Sequence, residues 1–534
     1  LGVKNSFFLV IPEQKKDPQL KLLLSEASLR QWVSELPTAN PGLTTRLYQE
    51  IVGDIISFDM PSVDRLNALE LIKPGFLIIE DYLRSRLIKY GFPKGENERK
   101  IFTVLVELER QLTIGYWIVV RGLTHRQIGW LQGKNIALAL QRTLEGLNSI
   151  IISYYMMSMP IPDWIWIDLH SLYGLSVKLG KESTKIPELG NVFGKRSVED
   201  RYKQILLLSL AYPSSLMQTE FLQVYQFTEK ICDLVHIESK PVAGQSMQCS
   251  ILTDEDLGPV FSATGAEFQG KYADSARIYL NLTKLQKITK QTDKYCCRDE
   301  ARFSSLENRM IDDPNQKLPP ELFDYLMERW SGKEPQGTAY FTDRLDRYLS
   351  IGLDATHELQ DMSLPRVGHG LEILAETDSE RALTCTFSKE GVLSIGSLVS
   401  FRKMDALRHQ RSLGVVCKIR LPKQENKLII EISVIAAQSF SVSYLHKNAA
   451  PNSERKKALL FGVKNQNEER SFIIMDSFMI KDGDILTMFM GLESFPIILM
   501  GRKNIGLGYW QFECRRILEK QLQTQDKKKG YDFI

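Results

Sequence analysis

The chain has 534 residues, 43% hydrophobic, 9% aromatic and 25% charged, the make-up of a folded protein too long for one hydrophobic core, which excludes disorder as the default. Its 68 basic and 65 acidic residues leave a formal net charge of +3, so no overall field demands nucleic acid or an anionic membrane as partner. The seven cysteines, 232, 249, 296, 297, 385, 417 and 514, show no C-x-x-C and no Cys/His spacing that closes a zinc site, and predict free thiols in a reducing cytoplasm.

The chain opens without a secretory signal pattern. Its least charged stretch, residues 145–163, is too short and too interrupted for a membrane span of ~20 residues. A cytoplasmic protein with no membrane span is the expectation.

In chain order, the first part reads as short helices between Pro/Gly breaks. Leu43, Leu47, Ile51 and Ile55 recur at the i, i+4 spacing of a buried stripe. Ser62 has the character of an N-cap, Pro74 is expected to break or kink its helix, and residues 76–90 form the next, stopped at Gly91-Phe92-Pro93. Two long helices follow, 98–120 and 124–157, the second apolar on two faces and therefore central to a bundle or solenoid. Residues 123–128 with Gly133 have the outline of a helix-turn-helix, but its reading segment, 135–140, is mostly Ile, Ala and Leu where base edges need polar groups. Nucleic acid is not an expected partner.

Trp166, Leu169 and Tyr173 echo the first helix of a tetratricopeptide repeat, without a second helix at the matching distance, which leaves a plain helical hairpin. Asp168 and His170 sit two apart on opposed flanks and suit neither a metal pair nor an acid/base dyad. Residues 198–210, 220–233, 273–288 and 320–330 read as further helices, 240–268 as polar with short extended pieces, and 290–317 as charged loop.

Past Pro365 the apolar period changes from 3.6 to 2. Strands are predicted at 382–388, 397–402, 412–420, 427–434 and 439–444, and again at 458–461, 471–475, 485–490, 496–500 and 510–514. That is more strand than one six-stranded barrel uses. Residues 515–523 read as a closing helix and 526–530 as a frayed basic tail.

Catalytic signatures are missing. Residues 190–197 fall one spacer residue short of a phosphate-binding loop, with Arg196 where Ser or Thr should follow the Lys, and Gly368-His369-Gly370 lacks a third Gly. There is no zinc-protease helix motif, nucleophile elbow or EF-hand, so no catalytic residue, metal or cofactor is assigned.

The β region resembles a PilZ domain, the small barrel that binds cyclic di-GMP in many bacterial proteins. The resemblance rests on Thr386-x-Ser388-x-x-Gly391 against an Asp/Asn-x-Ser-x-x-Gly pattern, then an apolar pair, the Gly-x-Leu-Val step at 396–399 and Leu413-Gly414-Val415-Val416, and it covers about residues 365–444. The helical front, seen through Leu36 to Pro41, and the strand-rich tail look like those of a large PilZ-containing family from Gram-negative bacteria. The resemblance implies a site in which arginines hold two phosphates and stack guanine while a small polar loop reads the base edge. Family members carry an Arg-x-x-x-Arg segment upstream. Here Arg366 stands first and Gly370 replaces the second Arg, while Thr386 replaces the acidic or amide residue. Arg402, Arg408 and Arg411 are the candidates to restore the missing charge.

The expectation is therefore an α+β multidomain chain: a helical bundle or solenoid-like scaffold (1–238), a mixed, mostly helical connector (239–364), a PilZ-like antiparallel β-barrel (365–450), and extra strands with a helix and tail (451–534). The leading function is a non-enzymatic cyclic di-GMP receptor with a protein partner on its helical part. The alternative is a ligand-independent adaptor with a degenerate barrel, and third an enzyme. Ligand residues are Arg366, Thr386, Ser388, Gly391, Arg402, Arg408 and Arg411.

Overall fold

The computed structural model describes residues 7–124, 133–188, 191–265, 272–290, 292–296, 317–361, 371–422, 427–447, 453–465, 468–477 and 479–517. Its described residues form two compact units, one from Leu1–Tyr90, Lys94–Pro213 and Gln218–Glu334, the other from Gly91–Pro93, Ser214–Met217 and Pro335–Ile534.

The first unit is built on helices α1 (Pro18–Leu23), α2 (Glu26–Ser34), α3 (Pro41–Ser57), α4 (Ser62–Ile88), α5 (Glu96–Thr124), α6 (Gly133–Met156) and α7 (Ile165–Lys178), a β1–β2 hairpin (Ile186–Glu188, Asn191–Arg196), then α8 (Val198–Leu210) and α9 (Gln218–Ile231). Helix starts follow capping chemistry. Asn40 Oδ1 accepts from Leu43 N with Pro41 in the first turn of α3, and Ser197 and Asp200 form a capping box on α8. Ser62 lies inside α4 rather than capping it, and α4 continues past Pro74 without a break. Packing overrides the proline there: the Tyr48 hydroxyl donates to Ile72 O at 3.1 Å beside Gly75, where any Cβ would collide with it.

The unit closes with a four-stranded antiparallel sheet ordered β3-β6-β4-β5 (His236–Glu238, Arg277–Asn281, Met247–Leu252, Val260–Ala263), short helices α10 (Thr283–Gln286) and α11 (Thr292–Tyr295), and α12 (Pro320–Arg329). Of residues 273–288, read as one helix, 277–281 form strand β6, because pairing with β3 and β4 outweighs a weak local helical preference, and helical turns begin only at Thr283. In the Asn135 to Leu140 segment Ile136, Ala137, Ala139 and Leu140 are fully buried and only Asn135 and Leu138 are partly exposed, a poor face for reading base edges; residues 125–132 of that outline lie outside the described residues.

Between the helices runs a buried charge network. Lys73 meets Glu145, Arg142 pairs with Glu70 at 3.0 Å and Glu145 at 3.3 Å, and Arg201 lies against Glu188 and within 3.6 Å of Glu145 and 3.5 Å of Glu229. Burial pushes the Glu145 carboxyl up, but Lys73, Arg201 and Arg142 outweigh it and hold Glu145 well below the ordinary range. Glu145→Ala leaves three buried cations short of their shared counter-charge. It should cost about 3–5 kcal/mol, read as a lower chemical-denaturation midpoint; a loss below about 1 kcal/mol, the scale of exposed pairs, would contradict the network's role.

The second unit holds two six-stranded closed antiparallel barrels. The first uses β7 (Arg347–Ile351), β8 (Ile373–Thr377), β9 (Ala382–Thr386), β10 (Leu398–Lys403), β11 (Ser412–Arg420) and β12 (Lys427–Ala436), in the order β10-β11-β12-β9-β8-β7; α13 (Leu353–Gln360) follows β7. The second uses β13 (Phe440–His446), β14 (Lys456–Asn465), β15 (Glu468–Met475), β16 (Ile485–Met490), β17 (Glu493–Gly506) and β18 (Tyr509–Arg516), ordered β13-β14-β15-β18-β17-β16. The strands expected beyond the first barrel thus close on themselves, and 439–444 starts the second barrel. The first barrel begins earlier than residue 365, at β7. Residues 515 and 516 are strand, not helix, since Arg516 pairs with Ile497; the rest of that expected helix, from 518, and the basic tail lie outside the described residues.

Alternate residues of the first barrel, among them Leu349, Leu383, Val399, Phe401, Val416, Ile430 and Ile432, point inward, while Leu398 and Leu413 point outward into a second apolar layer with Leu459, Phe461 and Ile474. That layer joins the barrels, so β10 is buried on both faces. Helix α13 bridges them: Thr356 Oγ1 donates to Ser400 Oγ at 2.9 Å, and Gln360 Nε2 donates to Ser439 O at 3.0 Å.

Candidate functional site

The loop from β9 to β10 is fixed by its apolar residues. Phe387, Leu393 and Ile395 insert into the barrel core with Val392 packed against it, and Ser388, Lys389, Glu390 and Gly391 are left facing solvent. Gly391 has φ +69°, a conformation that strains any side-chain-bearing residue, and Gly396 has φ +84° with its N–H donating to Val416 O at 2.8 Å. The Ser394 N–H donates to Ser397 Oγ at 2.9 Å, closing the turn into β10. Thr386, exposed, ends β9 opposite Lys427. Thr386, Ser388 and Gly391 therefore share one exposed loop.

Arg366 lies outside the described residues. It precedes β8 in sequence, and β8 is the hydrogen-bonded neighbour of β9, paired at Ala375↔Cys385, Glu376↔Thr384 and Thr377↔Leu383.

Arg402 and Arg411 converge instead on Glu372. Arg402 donates from Nε to Glu372 Oε1 at 2.8 Å and from Nη2 to Oε2 at 3.0 Å, with its guanidinium 4.5 Å over the Tyr348 ring. Arg411 is fully buried; it meets the same carboxylate and donates from Nε to Ser400 Oγ at 2.8 Å and from Nη2 to Ser400 O at 3.2 Å. Arg408 is half-buried on the turn between β10 and β11. No sequence pattern announced Glu372, Tyr348 or Ser400, because the pairing spans 30 and 39 residues of chain.

Two other places gather polar side chains. A cleft of about 470 Å³ is lined by Ile351 to Ala355, Glu358, Leu371, Asp476 and Leu507 to Tyr509. Its carboxylates, Asp354, Glu358 and Asp476, are offset by Lys457 at 3.2 Å from the first two, which is the wrong sign for a doubly anionic ligand. Among the described residues, Asp200, Cys232 and Asp233 come close enough to share a metal, but Asp200 already pairs with Lys185 at 2.5 Å and burial pushes the Cys232 thiol up to about 11. Asp168 and His170 are both buried and separately satisfied: Asp168 accepts from Phe8 N and Leu9 N, and His170 bonds the Tyr202 hydroxyl at 2.7 Å and Leu257 O at 2.8 Å.

Comparison with known proteins points to one group. Residues 27–242, helical in most of their length, match the family model described as the N-terminal domain of the cyclic-di-GMP receptor FimW. The chain is 28% identical over 218 residues to the cyclic-di-GMP receptor FimW of Pseudomonas aeruginosa, an alignment covering 40% of this chain and 36% of that protein. The chain therefore spans little more than a third of the relative it matches. No solved structure matches. No helix among the described residues is long and apolar enough to cross a membrane.

Glu372 generates a test. Burial pushes its carboxyl up, and the hydrogen bonds and charges of Arg402 and Arg411 more than reverse this, holding it below its ordinary value. A folded-state value below the unfolded one, ~4.3, gives stability that is complete above that pH and is lost as the pH falls through the folded value. Glu372→Gln should cost about 3 kcal/mol at neutral pH, because it leaves buried Arg411 without its counter-ion. The variant should also lose that part of the acid sensitivity, both read by denaturant titration from pH 7 to 3; unchanged midpoints at neutral pH would contradict the assignment.

Proposed function

We propose that the chain is a non-enzymatic, cytoplasmic receptor for cyclic di-GMP, with the ligand held on a PilZ-like barrel and the response passed to a protein partner by the helical unit. The observation that carries the reading is a coincidence of two pointers in separate parts of the chain. Residues 27–242 resemble the N-terminal domain of a protein named as a cyclic-di-GMP receptor, and the first barrel presents Thr386-x-Ser388-x-x-Gly391 on an exposed loop.

In this reading Ser388 and the Gly391 backbone approach the guanine edge, Thr386 flanks them, and Arg366, on the segment leading into β8, pairs a phosphate or stacks a base. Arg402 and Arg408 supply the remaining positive side. Arg411, fully buried, contributes as a positioning residue through Glu372 and Arg402.

A second reading, a ligand-independent adaptor, is favoured by two specific observations: Gly370 stands where a second phosphate-binding Arg is expected, and Arg402 and Arg411 already share a carboxylate. Calorimetric titration of the full chain with cyclic di-GMP separates the two. The receptor reading expects saturable heat, weakened roughly tenfold or more by Arg366→Ala, the scale of ~1.5–3 kcal/mol for a hydrogen bond to a charged group. Absence of heat at high micromolar dinucleotide contradicts it and leaves the adaptor.

A further inference from the structure

The β9–β10 loop is not held by the barrel strands alone. Gly91, Phe92 and Pro93, the residues between α4 and α5, run antiparallel to it: the Phe92 N–H donates to Leu393 O at 2.6 Å, the Leu393 N–H to Phe92 O at 2.9 Å, and the Gly391 N–H to Pro93 O at 2.9 Å. The Phe92 side chain is 1% exposed inside the barrel core, next to Leu393 and Phe387 in the same cluster. A Cβ at Gly91 would run into the Leu393 carbonyl and lie 2.6 Å from Ser394 Oγ, so only glycine permits the approach. A second short segment, Ser214–Met217 between α8 and α9, reaches the far end of the loop: Met217 packs on the same core, its Sδ 3.1 Å from where a Gly396 side chain would begin.

The roots of the two straps are tied as well. Lys94, 2% exposed, donates from Nζ to Leu87 O and Tyr90 O, each at 2.5 Å. The Gln218 carboxamide, oriented with its oxygen 2.6 Å from Lys94 Nζ, places its nitrogen 2.9 Å from Tyr90 O. The ends of α4, α5 and α9 therefore meet at one lysine, the residue that follows the strap in sequence.

We propose that the Gly91–Pro93 strap, seconded by Ser214–Met217, makes the conformation of the Ser388–Gly391 loop and the order of the adjoining ends of α4 and α5 a single equilibrium. A ligand that fixes the loop then orders these helix ends, and order at the helix ends favours the ligand-competent loop, since such coupling is reciprocal. The ligand half of this statement rests on the cyclic di-GMP reading. The strap half does not.

Hydrogen–deuterium exchange on the full chain, with and without cyclic di-GMP, tests both halves. Without ligand, Gly91→Ala should speed exchange at the Gly391 and Leu393 amides and at the end of α4 and start of α5 together, by roughly 5- to 10-fold, the scale of one lost hydrogen bond. Lys94→Met leaves the Phe92–Leu393 pairing in place and should raise exchange at the same helix ends and then at the loop; it decides the matter where Gly91→Ala does not fold. In the wild type, dinucleotide should slow exchange at loop and helix ends in parallel. Binding that protects the loop and leaves the helix ends unchanged overturns the coupling while the receptor reading stands. Failure of the dinucleotide to bind overturns the receptor reading, and the variants then decide the strap: parallel changes support it, and a change confined to the loop or to the helix ends overturns it.

Discussion

Burial of Phe387 and Leu393 on either side of Ser388–Gly391 is the constraint from which the rest of the barrel unit's surface chemistry follows. With those two side chains 6% and 1% exposed in the barrel core and Val392 packed against it, Ser388 to Gly391 are turned outward, and Gly391 supplies the left-handed turn the excursion needs. Each buried apolar side chain contributes about 1.5–3 kcal/mol, so the loop's position is set by the same hydrophobic burial that closes the barrel. Polar residues held outward by an apolar frame are a pre-organised surface, and pre-organisation is what spares a binding loop the entropy of ordering.

Electrostatics decides what that surface can receive. Arg402 and Arg411 face one another across Glu372, so the pair brings one net positive charge, and Arg411 has no exposed surface with which to touch a ligand. The cleft by α13 carries the opposite sign. The helical unit shows a different use of charge: Lys73, Arg142, Arg201 and their glutamates lie within the stretch that resembles the FimW N-terminal domain and pair with one another where they are buried between elements.

Much of the barrel unit was legible because its strands alternate cleanly. Val-Val at 415–416, Ile-Ile at 429–430 and the run around Leu459 gave strand positions that differ from the structure mainly at their ends. What alternation cannot show is closure. That ten predicted strands, joined by the short β7 and the unforeseen 373–377, make two rings depends on pairings such as Lys427 with Thr386 and Ser443 with Phe489, which join residues far apart in the chain. Pro74 does not end α4, where Tyr48 from another helix packs on the backbone at Ile72 and Gly75. The loop motif of the candidate site was readable from residue types and spacing. The partner of its arginines was not, nor was the strap at Gly91, since Gly-Phe-Pro reads as a helix stop and says nothing of the strand edge it pairs with.

The most direct measurement is a crystal structure of the full chain grown with saturating cyclic di-GMP. The account predicts the dinucleotide on the first barrel, with Ser388 and the Gly391 backbone at a guanine edge and Arg366 on a phosphate or base. Dinucleotide bound elsewhere, or an empty loop at a concentration that saturates the protein in solution, would contradict it.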